Sequence, residues 1–172
     1  MTKGQVYFLF LCLLTNLSPW FPSKAQEKLR SGEKVTIPSF RLQLTDSSLM
    51  VSDAPTDEKF IALVYFSPDC GHCIEMTEAI VQKADSLTNT LIILVAYKPL
   101  DELQRFSERF ELVRFPGIRV GRDLSYAMVP YYQIAYTPFL ALYGADRKLI
   151  RSWRSPEQTF RVEELLSVIY SK

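Results

Sequence analysis

Two unbroken apolar runs, separated by a stretch of helical period, constrain this chain more than any other feature. Phe60-Ile61-Ala62-Leu63-Val64-Tyr65-Phe66 is bounded by Lys59 and by Ser67-Pro68-Asp69. A run of that length without polar alternation reads as a strand covered on both faces. From Gly71 onward the period changes: Ile74, Thr77, Ile80, Val81, Ala84 and Leu87 recur at helical spacing, with Glu75, Glu78, Gln82 and Lys83 mostly on the other side. Leu91-Ile92-Ile93-Leu94-Val95-Ala96 is a second buried strand. Strand, helix and strand of these lengths make a βαβ unit, so the chain is read as an α/β protein.

The flanks extend this unit. Pro38 to Leu44 alternates apolar and polar residues as a half-buried strand does, Asp46-Ser47-Ser48 signals a turn, and Leu49-Met50-Val51 reads as the hairpin partner. Asp101 to Glu111 is a predicted helix with Leu103, Phe106 and Phe110 on one face. Ile118-Arg119-Val120 reads as a short strand, and Asp123 as the cap of a helix through Ala127 and Met128. Phe139 to Tyr143, the turn Gly144 to Arg147, and Lys148 to Trp153 form an antiparallel pair. Phe160, Leu165, Leu166 and Ile169 mark a closing helix. The order β-β-β-α-β-α-β-α-β-β-α fits a central mixed sheet flanked by helices, with an N-terminal β-hairpin extension.

The first residues are different in kind. Lys3 is followed by the apolar run Val6 to Leu14, and Ser23-Lys24-Ala25 offers small residues at the −3 and −1 positions of a cleavage site. This reads as a secretory signal peptide over 1–25, the apolar run being far short of the ~20 residues that span a bilayer. Residues 26–34 are polar and read as a flexible lead-in, and the folded domain is placed at 35–172. Loss of 1–25 removes Lys3 and Lys24, leaving 18 basic against 19 acidic residues. Nothing in that balance resembles the basic stripe of a nucleic-acid binder. Export predicts a periplasmic or cell-envelope location, where disulfides persist.

Cys12 leaves with the signal, so Cys70 and Cys73 are the only cysteines after it and His72 is the chain's one histidine. Cys70 closes the loop after a buried strand, and Cys73 falls in the first turn of the following helix. Residues three apart on a helix are neighbours. The helix end presents free N–H groups and partial positive charge to Cys70, and His72 adds to them. A thiolate is favoured in such a place. Cys70 is therefore assigned as the attacking sulfur, Cys73 as the resolving one, and Gly71 and His72 as residues that tune them. Asp69 opposes this, since its carboxylate repels a thiolate if it points inward. A purely structural disulfide here would close a ring of four residues, worth roughly 2 kcal/mol in the chain-entropy account and a weak staple. A closed zinc site needs four ligands, more than Cys70, His72 and Cys73 supply. Haem attachment needs His directly after the second Cys, where this chain has Ile74. No metal and no cofactor is expected.

Phe66-Ser67-Pro68-Asp69-Cys70-Gly71-His72-Cys73 resembles the active-site strand and helix of thioredoxin-like proteins. Ile37-Pro38-Ser39-Phe40-Arg41-Leu42 resembles the entry strand of the TlpA/ResA branch, which are exported thiol–disulfide oxidoreductases. Tyr132 to Phe139 looks like that family's segment ending in a cis-proline. The likeness spans about residues 35–170. It implies a thioredoxin-like fold, with Thr137 and Pro138 beside the redox pair, where they receive a partner's extended chain. The sequence departs from thioredoxin in its Gly71-His72 dipeptide, which is similar to that of protein disulfide isomerase, and in having Val64 where thioredoxin places a buried acid. The acceptor of the Cys73 proton is thereby left open among Glu75, Glu78 and Lys98.

The function expected is dithiol–disulfide exchange with exported proteins that bear thiols or disulfides, fed by a membrane or envelope thiol donor. The direction, as reductase, oxidase or isomerase, stays open. Two other readings stand beside it. Ser67-x-x-Cys70 partly fits a thiol peroxidase, although Leu63 occupies the place of its proline. A non-catalytic thioredoxin-like binding module is the third, and the presence of both cysteines weighs against it.

Overall fold

Phe60–Tyr65 forms β3, and every one of its residues but Tyr65 is buried. It lies parallel to β4 (Thr90–Ala96), with Phe60 opposite Thr90 and Tyr65 opposite Val95. The computed structural model describes residues 35–154 and 161–171. The predicted signal peptide, the lead-in and Phe160 lie outside the described residues.

Around the central pair the elements follow in the expected order. β1 (Arg41–Leu44) and β2 (Leu49–Val51) precede β3; α1 (Gly71–Gln82) joins β3 to β4; α2 (Leu100–Arg109) leads to β5 (Ile118–Asp123). Then come α3 (Met128–Tyr132), β6 (Phe139–Tyr143), β7 (Leu149–Trp153) and α4 (Val162–Tyr170). The sheet order is β2-β1-β5-β4-β3-β6-β7. β3, β4 and β5 are mutually parallel, whereas β1, β2, β6 and β7 pair antiparallel to their neighbours.

The two-residue period of the strands sorts the core into two layers. Ala62, Val64, Ile92, Leu94, Leu140 and Leu142 face α1, α2 and α4, meeting Ile80, Leu103 and Leu165. Ile61, Leu63, Ile93, Val95, Ala141 and Tyr143 face the opposite way, toward Phe40, Met128 and Tyr132. Burial on both sides explains why these strands lack polar alternation.

Three of the boundaries that differ from the sequence reading have a visible physical cause. The first strand begins at Arg41 instead of Pro38. The buried Ser52 hydroxyl donates to the Pro38 carbonyl at 2.6 Å and accepts from the Phe40 N–H at 2.8 Å, so a side chain joins the one backbone bond there, from the Ser52 N–H to the Phe40 carbonyl at 3.0 Å. The helical pattern reaching Leu87 is interrupted: α1 ends at Gln82 and a 3₁₀ turn, Ala84–Leu87, follows. β5 runs on through Gly121, Arg122 and Asp123 and sits inside the sheet between β1 and β4. Gly121 permits this, since a Cβ there would stand 3.2 Å from the Gln43 carbonyl of β1. Asp123 ends β5 and is not the cap residue: α3 begins at Met128 with Ala127 as its N-cap, and the Asp123 carboxylate accepts the Met128 N–H at 2.8 Å.

Candidate active site

The redox loop leaves the sheet at the end of β3. Tyr65 pairs with Phe139 in the antiparallel β3–β6 ladder, so the chain leaving β3 passes the chain entering β6. That register brings Cys70 to Thr137 across 67 residues: the Cys70 Sγ donates to the Thr137 carbonyl at 3.6 Å. The Thr137–Pro138 peptide is cis.

Cys70 is the N-cap of α1, with extended backbone (φ −85°, ψ 119°). Its carbonyl accepts the N–H groups of Cys73 and Ile74, each at 3.0 Å, which starts the helix. Both cysteines are free thiols, Cys70 half-buried and Cys73 fully buried. Cys73 packs among Phe66, Met76 and Ile80, and Thr77 donates to its carbonyl at 2.8 Å. Gly71 and His72 are exposed at the helix mouth.

The two thiols are unequal. Burial raises the Cys70 pKa, but hydrogen bonds from the Cys73 thiol, the Thr137 side chain and the Cys73 and His72 N–H groups outweigh it, and the net shift is downward. The N–H groups of the helix mouth are among the groups that favour the thiolate, after the Cys73 thiol and Thr137. For Cys73, burial comes first, its thiol is engaged by Cys70, and its pKa is pushed up to about 12.

Asp69 does not face the thiols. It accepts from the Ser67 hydroxyl and pairs with Lys98 at 3.3 Å, its side chain largely in solvent. The Ser67 bond first, and then its own backbone and Lys98, hold its carboxyl below the usual range. Lys98 is thereby committed to Asp69. Glu75 and Glu78 are exposed on the outer side of α1, and Val64 is fully buried. None of the candidates for the Cys73 proton therefore lies in the apolar layer that encloses that thiol. Among the described residues, no group of three or more His, Cys, Asp or Glu is placed to hold a metal ion.

Sequence reasoning missed the supports behind Thr137. The Tyr132 and Tyr143 hydroxyls are hydrogen-bonded in the opposite core layer. Burial raises the pKa of both phenols. Arg154 donates to the Tyr132 carbonyl at 2.7 Å and lies over the Phe139 ring. No local pattern announces these contacts, because each partner comes from a different element.

Sheet order, flanking helices and the placement of the two thiols at a helix mouth define the thioredoxin-like fold. Solved structures agree. A secreted Mycobacterium tuberculosis disulfide oxidoreductase homologous to E. coli DsbE is similar at 16% identity, with a TM-score of 0.65 over 77% of this chain and 96% of that one. A peroxiredoxin-like protein from Aquifex aeolicus is similar at 14% identity, TM-score 0.67, over 80% and 85%. Copper-bound ScoI of Arabidopsis thaliana is similar at 8% identity, TM-score 0.61, over 80% and 100%. At these identities the likeness is one of fold. No protein-family model and no curated protein sequence matches the chain.

Proposed function

We propose that this protein is an exported thiol–disulfide oxidoreductase, akin to the TlpA/ResA branch, that exchanges electrons with cysteine pairs of other exported proteins. The observation that carries the reading is the inequality of the thiols: Cys70 is half-buried at the helix mouth with its pKa shifted downward, and Cys73 is fully buried with its pKa pushed up to about 12. The Cys70 thiolate attacks one sulfur of a partner disulfide. A mixed disulfide forms, and the other partner sulfur leaves as thiolate. Cys73 then loses its proton to the partner thiolate just released or to water, attacks the Cys70 Sγ and frees the second partner thiolate. Two electrons have passed to the partner, and Cys70–Cys73 is oxidised. An envelope thiol donor restores the dithiol, and the reverse sequence oxidises a partner. The Thr137–Pro138 backbone beside Cys70 suits an extended partner segment laid down as an added strand.

A periplasmic or cell-envelope setting rests on the signal-like N-terminus. The peroxidase reading is weakened by Ser67, whose hydroxyl is turned to Asp69. Insulin reduction measured alongside peroxide consumption tests the proposal. Insulin turnover that needs both Cys70 and Cys73 is expected. Peroxide consumption surviving in Cys73→Ser would point to a peroxidase, and silence in both assays to a binding module. Cys73→Ser should also accumulate mixed disulfides through Cys70, and equal adduct formation on Cys70→Ser would remove the assignment of roles.

A further inference from the structure

β6 runs opposite to β3, β4 and β5, so the start of β6 and the ends of the other three meet at the same end of the sheet. Along that end stand Thr137 before β6, the Cys70 loop after β3, Tyr97 and Lys98 after β4, and Arg122 near the end of β5, opposite Ala96. Lys98 ties this row together by reaching Asp69, the neighbour of Cys70, at 3.3 Å.

Tyr97 is 47% exposed and Tyr126 45% exposed, and their rings meet edge to face at 4.9 Å. Tyr126 stands at φ 53°, in the left-handed region, an unfavourable place for a bulky side chain. The Asp123 carboxylate pins the turn that holds it, accepting the Ser125 N–H at 3.1 Å and the Met128 N–H at 2.8 Å. The Arg122 guanidinium lies 5.5 Å from the Tyr97 ring centroid. Arg122 is half-buried, its Nε is enclosed without a hydrogen-bond partner, and its side chain makes no ion pair among the described residues. The nearby acids are engaged elsewhere: Asp123 on those N–H groups, Asp69 on Lys98, and Asp101 on Arg105 at 2.8 Å. An enclosed guanidinium N–H without an acceptor is costly, and a carboxylate is the group whose two oxygens match the fork.

We infer that Arg122, backed by Tyr97 and Tyr126, receives a carboxylate of the partner protein. Neighbouring strands lie about 4.8 Å apart, so β5, two strands from β3, stands about 10 Å away, which an extended chain covers in about three residues. The ligand is therefore an Asp or Glu side chain about three residues from the partner's reacting cysteine. The inference deepens the proposed exchange with exported proteins and rests on Cys70 as the attacking sulfur.

The probes are short synthetic peptides, each with a single cysteine activated as its pyridyl disulfide and a Glu about three residues before or after it, and twins with Gln in place of Glu. Attack by Cys70 forms the mixed disulfide with the peptide and releases pyridinethione, which is read optically. The quantity measured is the rate of the Glu peptide relative to its Gln twin, in salt that screens long-range steering. Intrinsic thiol reactivity cancels in that ratio. For one of the two orders the wild-type ratio is expected to lie severalfold above unity. Arg122→Met should bring it near unity, and Arg122→Lys, which keeps the charge and loses the fork, should fall between. A wild-type ratio near unity for both orders overturns the inference. So does an Arg122→Met variant that slows both twins alike and keeps the wild-type ratio, which is the mark of a structural role. If Arg122→Met fails to fold, Arg122→Lys decides, and a ratio equal to wild type overturns the inference. Failure of every peptide to react would instead remove Cys70 as the nucleophile, and the inference with it.

Discussion

At Cys70 burial and hydrogen bonding pull in opposite directions, and the hydrogen bonds win. At Cys73 burial goes unopposed by any charge of opposite sign. Two pH effects follow in the reduced protein. Cys73 keeps its proton in the folded state above the ordinary thiol value of 9.0, up to about 12. Its contribution to stability is thus full below 9.0 and is lost as pH rises toward 12. Cys70 has the opposite sign: its contribution is present above the ordinary value and is lost as pH falls through the lowered one. Urea unfolding of reduced and oxidised protein across alkaline pH measures this, since the disulfide form lacks both titrations. The stability of the reduced form relative to the oxidised one should fall beyond 9.0, and a flat difference would contradict it. His72 is exposed at the helix mouth, where an imidazolium favours the thiolate. A reduction potential of about −270 to −180 mV is expected, between thioredoxin and protein disulfide isomerase. His72→Pro should make it more negative in a glutathione titration.

The elements that place these residues vary in how plainly they are written in the sequence. β3, β4 and β6 are legible as apolar runs because both faces are covered, and α1 because its period changes abruptly at Gly71. β5 is harder to read, since Gly121-Arg122-Asp123 has the composition of a turn and becomes strand because β4 and β1 pair with it from either side. The start of β1 is set by Ser52, twelve or more residues away from the groups it bonds. Ser52→Ala should leave the Phe40 N–H and the Pro38 carbonyl without that partner and cost about 1–3 kcal/mol. Chemical denaturation reads this directly, and a loss near zero would show the hydroxyl to be dispensable. The direction of Asp69 belongs to the same class of fact. Adjacency alone predicts repulsion of Cys70, but Lys98, beyond the end of β4, pairs with the carboxylate at 3.3 Å on the solvent side.

Across the whole molecule, the sheet separates two apolar layers with different duties. The layer holding Cys73 also holds Ile80 and Leu165, so it determines how α1 sits and how dry the resolving thiol is. Ile80 is fully buried. Ile80→Ala should cost about 2–5 kcal/mol through the cavity it leaves. Because that cavity lies in the layer around Cys73, resolution of mixed disulfides should change along with stability. Denaturant titration and stopped-flow resolution kinetics on one preparation would show whether the two move together. The opposite layer, with Tyr132, Phe139 and Tyr143, supports the segment facing Cys70 and carries no thiol.

The pairing of Tyr65 with Phe139 joins the early and late parts of the chain at one point. Each part holds one side of the candidate site: one carries Cys70 and Cys73, the other Thr137 and Pro138. The turn around Val113, itself 92% exposed, lies between them, after β4 and before β5. A chain divided there would yield two fragments, neither of which assembles the Cys70–Thr137 contact by itself. Their reunion would appear as the return of a reactive thiol, so disulfide exchange would become an optical reporter of fragment complementation.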